Sequence, residues 1–221
     1  MRRADSRGES ATARSLLDQG LDELELAVSD QQLAALLGLA SLLAQWSKRI
    51  NLTGHRTASE IVRRLILDAA ALAARLPEVA SLADIGSGAG FPGFPVGILR
   101  ADCQVTLVES RERRHHFQRQ AIRQLGLRNV RTERGRAEAL EPTLHTAAIA
   151  QAVARPADAL PLLLPWVEIG GLLLFPSSTP PPPIPHDDPR ACFEPFATYR
   201  VPLGGPERTL WTARKTSGNV A

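Results

Sequence analysis

The chain has 221 residues, 44% of them hydrophobic, and a formal net charge of +3. That length suits one domain carrying an extension, the apolar content supplies a core, and the mild positive excess permits a polyanionic partner without requiring one. Cys103 and Cys192 are the only cysteines, too few and too far apart for a disulfide framework or a cysteine metal site, and no metal is expected. No apolar run reaches signal-peptide or transmembrane length, so a soluble cytoplasmic protein with no membrane association is expected.

Residues 1–14 are polar and arginine-rich without apolar periodicity, which predicts a disordered basic tail. Residues 15–78 read as a helical extension. Within it Ser29-Asp30-Gln31-Gln32 offers a helix cap, and Leu33, Leu36, Leu37, Ala40, Leu43 and Ala44 recur at helical spacing as far as Trp46. Asn51-Leu52-Thr53-Gly54 interrupts the helix. A second begins at about Ser59, with Ile61, Leu65, Leu72 and Leu76 on one stripe and Asp68 on the same side. An acid there must be paired or hydrogen-bonded if buried.

From Val79 strands and helices alternate, the pattern of a mostly parallel sheet with helices on both faces, and the domain is expected to span residues 79–215 before a flexible tail at 216–221. Strands are predicted at 81–85, 104–109, 129–132, 147–153 and 172–175. A helix fills the segment after Glu109, ending at Gly126, and another covers part of 160–166. The proline-rich run 176–189 reads as an exposed loop, partly polyproline. Segments 197–201 and 210–214, separated by Gly204-Gly205-Pro206, predict an antiparallel hairpin at the sheet edge.

The chemistry concentrates at Asp84-Ile85-Gly86-Ser87-Gly88-Ala89-Gly90-Phe91-Pro92-Gly93, where an apolar strand runs into three glycines. Gly86, Gly88 and Gly90 permit positive φ and close approach of a ligand. The pattern G-x-G-x-G differs from the dinucleotide fingerprint G-x-G-x-x-G, whose third glycine is here Phe91. An acid before G-x-G-x-G resembles the first motif of Rossmann-like S-adenosylmethionine (SAM) methyltransferases. Glu109 ends the next strand, roughly twenty residues on, as ribose-binding acids do. Gly135-Arg136-Ala137-Glu138 follows the third strand at the same sheet edge, where Ala137 backbone and the Glu138 carboxylate suit an adenine edge. Arg111, Arg113, Arg114, Arg119 and Arg123 make the intervening helix basic, a phosphate-tracking surface beside the pocket.

In this order the segments resemble the bacterial rRNA small-subunit methyltransferase G family, also called glucose-inhibited division protein B. The resemblance rests on Trp46-Ser47-Lys48-Arg49-Ile50-Asn51-Leu52-Thr53, Arg64 with Leu67-Asp68, residues 84–95, Val105-Thr106-Leu107-Val108-Glu109-Ser110, Gly135-Arg136-Ala137-Glu138 and Ala152-Val153-Ala154. It implies a Rossmann-like SAM-dependent methyltransferase fold and methylation of guanine N7 in 16S rRNA of the small ribosomal subunit; a monomer is expected. By the same resemblance Gly86, Phe91, Ala137, Glu138 and Gln151 line the SAM site, joining Gly88, Gly90 and Glu109, while Arg113 and Arg114 face RNA. Arg136, Gln151 and Arg155 are the candidate catalytic positions. Leu65 stands where the family has histidine, Gln151 where it has arginine, and Phe175-Pro176-Ser177 replaces Leu-Lys-Gly; Arg155 is expected to supply the charge that Gln151 lacks. A non-catalytic SAM- or RNA-binding relative and a small-molecule methyltransferase are the competing readings.

Overall fold

The structure is a computed structural model that describes residues 2–151, 156–178, 188–195 and 197–216. It opens with α1 (Arg2–Glu23) and α2 (Asp30–Ser47), followed by α3 (Ala58–Ile61), a π-helical segment (Val62–Ile66) and α4 (Leu67–Ala73). The expected disordered tail is therefore corrected, because the backbone is helical from Arg2. Ala13, Leu17 and Leu21 bury the inner face of α1, and Gly20 packs against Leu67 so closely that a Cβ would lie 2.4 Å from its Cδ2. Once that stripe is helical, each further residue adds a hydrogen bond at little cost, so the helix extends into a polar segment that has no stripe of its own. Glu9 adds a tertiary tie, its Oε1 accepting the Ser59 N–H at 2.8 Å.

Ser29 and Gln32 form a capping box on α2, as the sequence predicts. Gln32 also donates to the carbonyls of Ile98 and Leu99 at 3.0 and 3.1 Å, holding the start of α2 against the sheet layer. The next helix starts earlier than about Ser59, since Thr57 and Glu60 build a second capping box. Its π segment shifts the inward stripe, so Ile61, Val62, Ile66 and Leu67 are fully buried while Leu65 is only half-buried.

The strands are β1 (Ser81–Ile85), β2 (Gln104–Glu109), β3 (Val130–Arg134), β4 (His145–Ile149), β5 (Val167–Ser177), β6 (Ala191–Phe193), β7 (Ala197–Arg200) and β8 (Glu207–Lys215). They form one eight-stranded sheet in the order β3-β2-β1-β4-β5-β8-β6, with β7 also pairing β8. The first five are parallel, and β8 runs antiparallel to β5, β6 and β7. Helices α5 (Gly93–Leu99), α6 (Glu112–Leu125) and α7 (Pro156–Leu163) complete the fold.

Both faces of the sheet are covered, as near-continuous apolar strands require. Leu82, Leu107 and Ile149 share a core with Leu36, Leu43, Phe94 and Phe117, so the N-terminal helices pack into the same interior as α5 and α6. Ala83, Val108, Ala148 and Phe175 face the other way, onto Leu160, Leu163 and Trp166.

Several boundaries differ from expectation, β3 and β8 each running beyond the expected segment. Pro176 belongs to β5, opposite Leu210, and not to a loop. The β4 pairing of β5 ends at Leu174, so a residue without an N–H costs no ladder bond on that side. Strand β5 also starts at Val167, five residues early, because a register shift and a positive φ at Gly170 let the chain re-enter the ladder. Strand β4 starts at His145; residues 152–153 of the expected strand, most of the proline-rich run (179–187) and the tail 217–221 lie outside the described residues.

Candidate active site

In the sheet order β1 lies between β2 and β4, where the order of strands across the sheet reverses, and the carboxyl ends of these strands are where an open α/β sheet leaves a crevice for ligands. The glycine turn sits there. Gly86 and Ser87 donate their N–H groups to the Val108 carbonyl at 2.9 and 3.1 Å, which anchors the turn to β2. Gly86, Gly88 and Gly90 have φ of 72°, 59° and 86°, all in the left-handed region that favours glycine.

Their surroundings separate two roles. A Cβ at Gly90 would lie 2.1 Å from the Phe94 ring, so Gly90 serves the packing of the turn on α5. At Gly88 the nearest atoms would be Arg114 Nη1 at 3.6 Å and the Gly86 carbonyl at 4.0 Å, which leaves room for a ligand against the backbone. Phe91 is half-buried and follows the turn with its N–H donated to Ser87 O.

Two acids flank this cradle. Asp84, the penultimate residue of β1, is 1% exposed and accepts the Gly93 N–H at 2.8 Å. Burial raises its carboxyl to about 7, with the Gly93 hydrogen bond opposing the rise and the charge of Glu109 adding to it. Glu109 ends β2 and is 4% exposed. Its Oε1 accepts the Arg111 N–H at 2.7 Å, and its Oε2 faces Arg114 Nη1 at 3.6 Å.

The remaining expected residues gather at the same edge. Gly135 donates its N–H to the Glu109 carbonyl, which brings Arg136 and the short 3₁₀ turn Ala137–Ala139 beside the end of β2. Ala137 is half-buried and packs on the second core, whereas Arg136 and Glu138 are exposed. Gln151, half-buried, stands two residues beyond Ile149, which pairs with Asp84, and so lies across from the turn. Arg113 is exposed on the first turn of α6, while Arg114 is half-buried and directed at Glu109. Arg155 lies outside the described residues.

Sequence reasoning missed Gln118. This α6 residue is 0% exposed, and its Nε2 donates to Ser87 Oγ and to the Gly88 carbonyl, both at 2.9 Å. Its Oε1 accepts from Thr132 Oγ1 of β3. The side chain thus braces the glycine turn from two elements. A signal existed: Gln118 interrupts the apolar stripe of Phe117, Ala121 and Ile122, where an amide must find buried partners. Asp68, noted in the sequence as needing a partner, finds Arg208 Nη2 at 2.6 Å. Among the described residues no group of histidine, cysteine, aspartate or glutamate has the arrangement of a metal site, and no helix is long and apolar enough to cross a membrane.

The cradle fits SAM. Space over Gly88 leaves room for a ligand against the turn, and Glu109 Oε2, which accepts no hydrogen bond from a described residue, is a carboxylate oxygen able to accept a ligand hydroxyl. Comparison with known proteins agrees. The family described as rRNA small subunit methyltransferase G matches residues 32–177. The protein named Ribosomal RNA small subunit methyltransferase G of Stenotrophomonas maltophilia is 43% identical over 169 residues, covering 75% of this chain and 74% of that one. Among solved structures, cofactor-bound Rv0187 from MTB superposes with a TM-score of 0.55 at 13% identity over 87% of this chain and 93% of that one. TYW2 of M. jannaschii in complex with AdoMet gives 0.51 at 13% identity over 68% and 74%. These two share the Rossmann-like fold of this chain, and the family match over residues 32–177 together with the curated relative makes this chain a member of the rRNA small subunit methyltransferase G family.

Proposed function

We propose that this chain transfers the methyl group of SAM to N7 of a guanine in 16S rRNA of the small ribosomal subunit. The observation that carries the reading is the convergence of the Gly86–Gly90 turn, Glu109 and an arginine-lined rim at one end of the sheet. SAM supplies an electrophilic methyl carbon on a positive sulfur. The N7 lone pair forms the new bond as the carbon–sulfur bond breaks, its electrons remaining on sulfur, so no proton has to be removed from the base.

With no general base required, the protein's task is placement. Holding nucleophile and methyl carbon in line is worth ~7–11 kcal/mol in well-oriented systems. Gly86, Gly88, Gly90, Phe91, Glu109, Ala137, Glu138 and Gln151 hold the cofactor in this reading. Arg113, Arg114 and Arg136 supply positive charge for the RNA; Arg113 and Arg136 form no ion pair with a described residue. Gln151 borders the target base in this reading, and Arg155, outside the described residues, is kept as the proposed source of the charge that Gln151 lacks. In this reading the enzyme acts in the cytoplasm, as a monomer.

The test is methyl transfer from labelled SAM to small ribosomal subunits, to naked 16S rRNA and to small acceptors, followed by mapping of N7-methylguanosine. Transfer to a small acceptor alone overturns the rRNA assignment. SAM binding with transfer to none of the three supports the non-catalytic reading, which Gln151 and Leu65 favour.

A further inference from the structure

Arg114 is placed to answer to both ligands of the proposed reaction. Its guanidinium occupies the wedge between the glycine turn and the end of β2, 3.6 Å from Glu109 Oε2 and 3.6 Å from the position of a Cβ on Gly88. Glu109 Oε1 is engaged by the Arg111 N–H, so Oε2 is the oxygen left for a ribose hydroxyl. At 3.6 Å the contact with Arg114 is an ion pair without a hydrogen bond. The Arg114 side chain is 30% exposed, and it shares the first turn of α6 with the exposed Arg113.

We propose that Arg114 couples cofactor and RNA binding: a ribose diol that takes Glu109 Oε2 releases the guanidinium to an RNA phosphate, and a phosphate that draws the guanidinium outward opens Oε2 to the diol. The exchange is possible because both partners are anionic acceptors of one cation. Glu109 keeps the Arg111 N–H throughout, and the hydroxyls of the diol replace the guanidinium as the donors facing Oε2. Reciprocity follows, so each ligand tightens the other by the same factor. The inference rests on the rRNA reading proposed above.

A positioning residue of this kind is distinguished by the coupling factor, which neither a simple cofactor contact nor a simple phosphate contact produces. S-adenosylhomocysteine carries the ribose diol without permitting turnover and is the probe. Its affinity is measured by calorimetry for the wild type, Arg114→Ala, Arg114→Lys and Arg113→Ala, with and without saturating small ribosomal subunits. The wild type is expected to bind it roughly fivefold more tightly in the presence of subunits, the lower end of ordinary coupling. Arg114→Ala is expected to bind the probe alone as well as the wild type or a few-fold better, and to show no gain with subunits. Arg114→Lys keeps a shorter cation and retains part of the gain. Arg113→Ala keeps the full gain while its affinity for subunits falls.

Weaker binding of the probe alone by Arg114→Ala makes Arg114 a cofactor clamp and overturns the coupling, as does an undiminished gain in that variant. A wild type that binds the probe but not the subunits instead overturns the rRNA reading. Thermal melts that match the wild type confirm that each variant is folded.

Discussion

Asp68 of α4 and Arg208 of β8 are 140 residues apart in sequence and 2.6 Å apart in space, joining the N-terminal helices to the C-terminal hairpin. Arg208 Nε reaches the same carboxylate at 3.1 Å, and the Asp68 side chain is 8% exposed. Tyr199 stands beside them with a buried hydroxyl that has no hydrogen-bond partner among the described residues; burial first, then the Asp68 charge, holds its phenol above the ordinary range. Asp68→Asn leaves Arg208 without its counter-charge and is expected to cost about 2–4 kcal/mol, somewhat below the full range for a buried pair because Arg208 is 22% exposed. The double variant Asp68→Leu, Arg208→Met is expected to recover most of that loss. Denaturant unfolding of the three proteins decides; a double variant no more stable than Asp68→Asn would show that the pair does not act as a unit.

Gln118 offers a test of the brace on the glycine turn. Gln118→Leu keeps the volume but strands the Gly88 carbonyl and Thr132 Oγ1, Ser87 Oγ keeping its bond to the Val108 carbonyl, and is expected to destabilise the fold by about 2–3 kcal/mol. Gln118→Glu retains the acceptor for Thr132 and loses donation to the Gly88 carbonyl. In both variants SAM affinity should fall by more than turnover at saturating SAM. An unchanged SAM dissociation constant in a folded Gln118→Leu protein would separate the brace from the cofactor site.

Gly88 and Gly90 should not respond alike. Gly90→Ala drives a methyl group into the Phe94 ring and is expected to be the most destabilising, by more than ~3 kcal/mol, as overpacking adds to left-handed strain. Gly88→Ala meets only the flexible end of Arg114 and is expected to cost roughly 1–2 kcal/mol, the backbone penalty alone. Its main effect should be on SAM binding. Thermal melts with and without SAM rank the pair, and a reversed order would reassign the roles.

Glu109→Ala is expected to weaken SAM by about 1.5–3 kcal/mol, the scale of hydrogen bonds to a charged group. Glu109→Gln, which still accepts the Arg111 N–H, should fall between that variant and the wild type. Calorimetric affinities equal to the wild type in both would move the ribose contact elsewhere.

The buried Asp84 predicts a pH dependence. Its carboxyl lies at about 7 in the folded chain against 3.8 as the ordinary value, so between these the native state holds a proton that the unfolded state releases. Stability from this group is therefore greatest below about pH 4 and declines as pH rises toward 7, reaching a penalty of a few kcal/mol above it. Asp84→Asn keeps an acceptor for the Gly93 N–H and removes the titration, so its stability should gain on the wild type as pH is raised from 5 to 8. Parallel stability curves for the two proteins would contradict the raised value.

Strands β1 and β2 are legible in the sequence at their full extents, because an apolar run ending in glycines and another ending in an acid are local patterns. The capping box at Ser29 and the left-handed Gly126 that ends α6 are local in the same sense, and so is the cluster of Gly86, Gly88, Gly90 and Glu109 at one sheet edge once the strands are placed. What the sequence conceals depends on distant partners. The first half of α1 has no stripe of its own, and its helix continues from residues packed on α4, with Glu9 bonded to Ser59. Pro176 is admitted to β5 only because β4 stops pairing two residues before it. Gln118 reads as a polar interruption until Ser87, Gly88 and Thr132 surround it, and Arg208 reads as one arginine among many until Asp68 meets it. Local periodicity and turn chemistry therefore determined most of the elements and the glycine turn, while hydrogen bonds and charge pairs between distant segments, which folding alone brings together, decided how the turn is braced and what joins the N-terminal helices to the C-terminal hairpin.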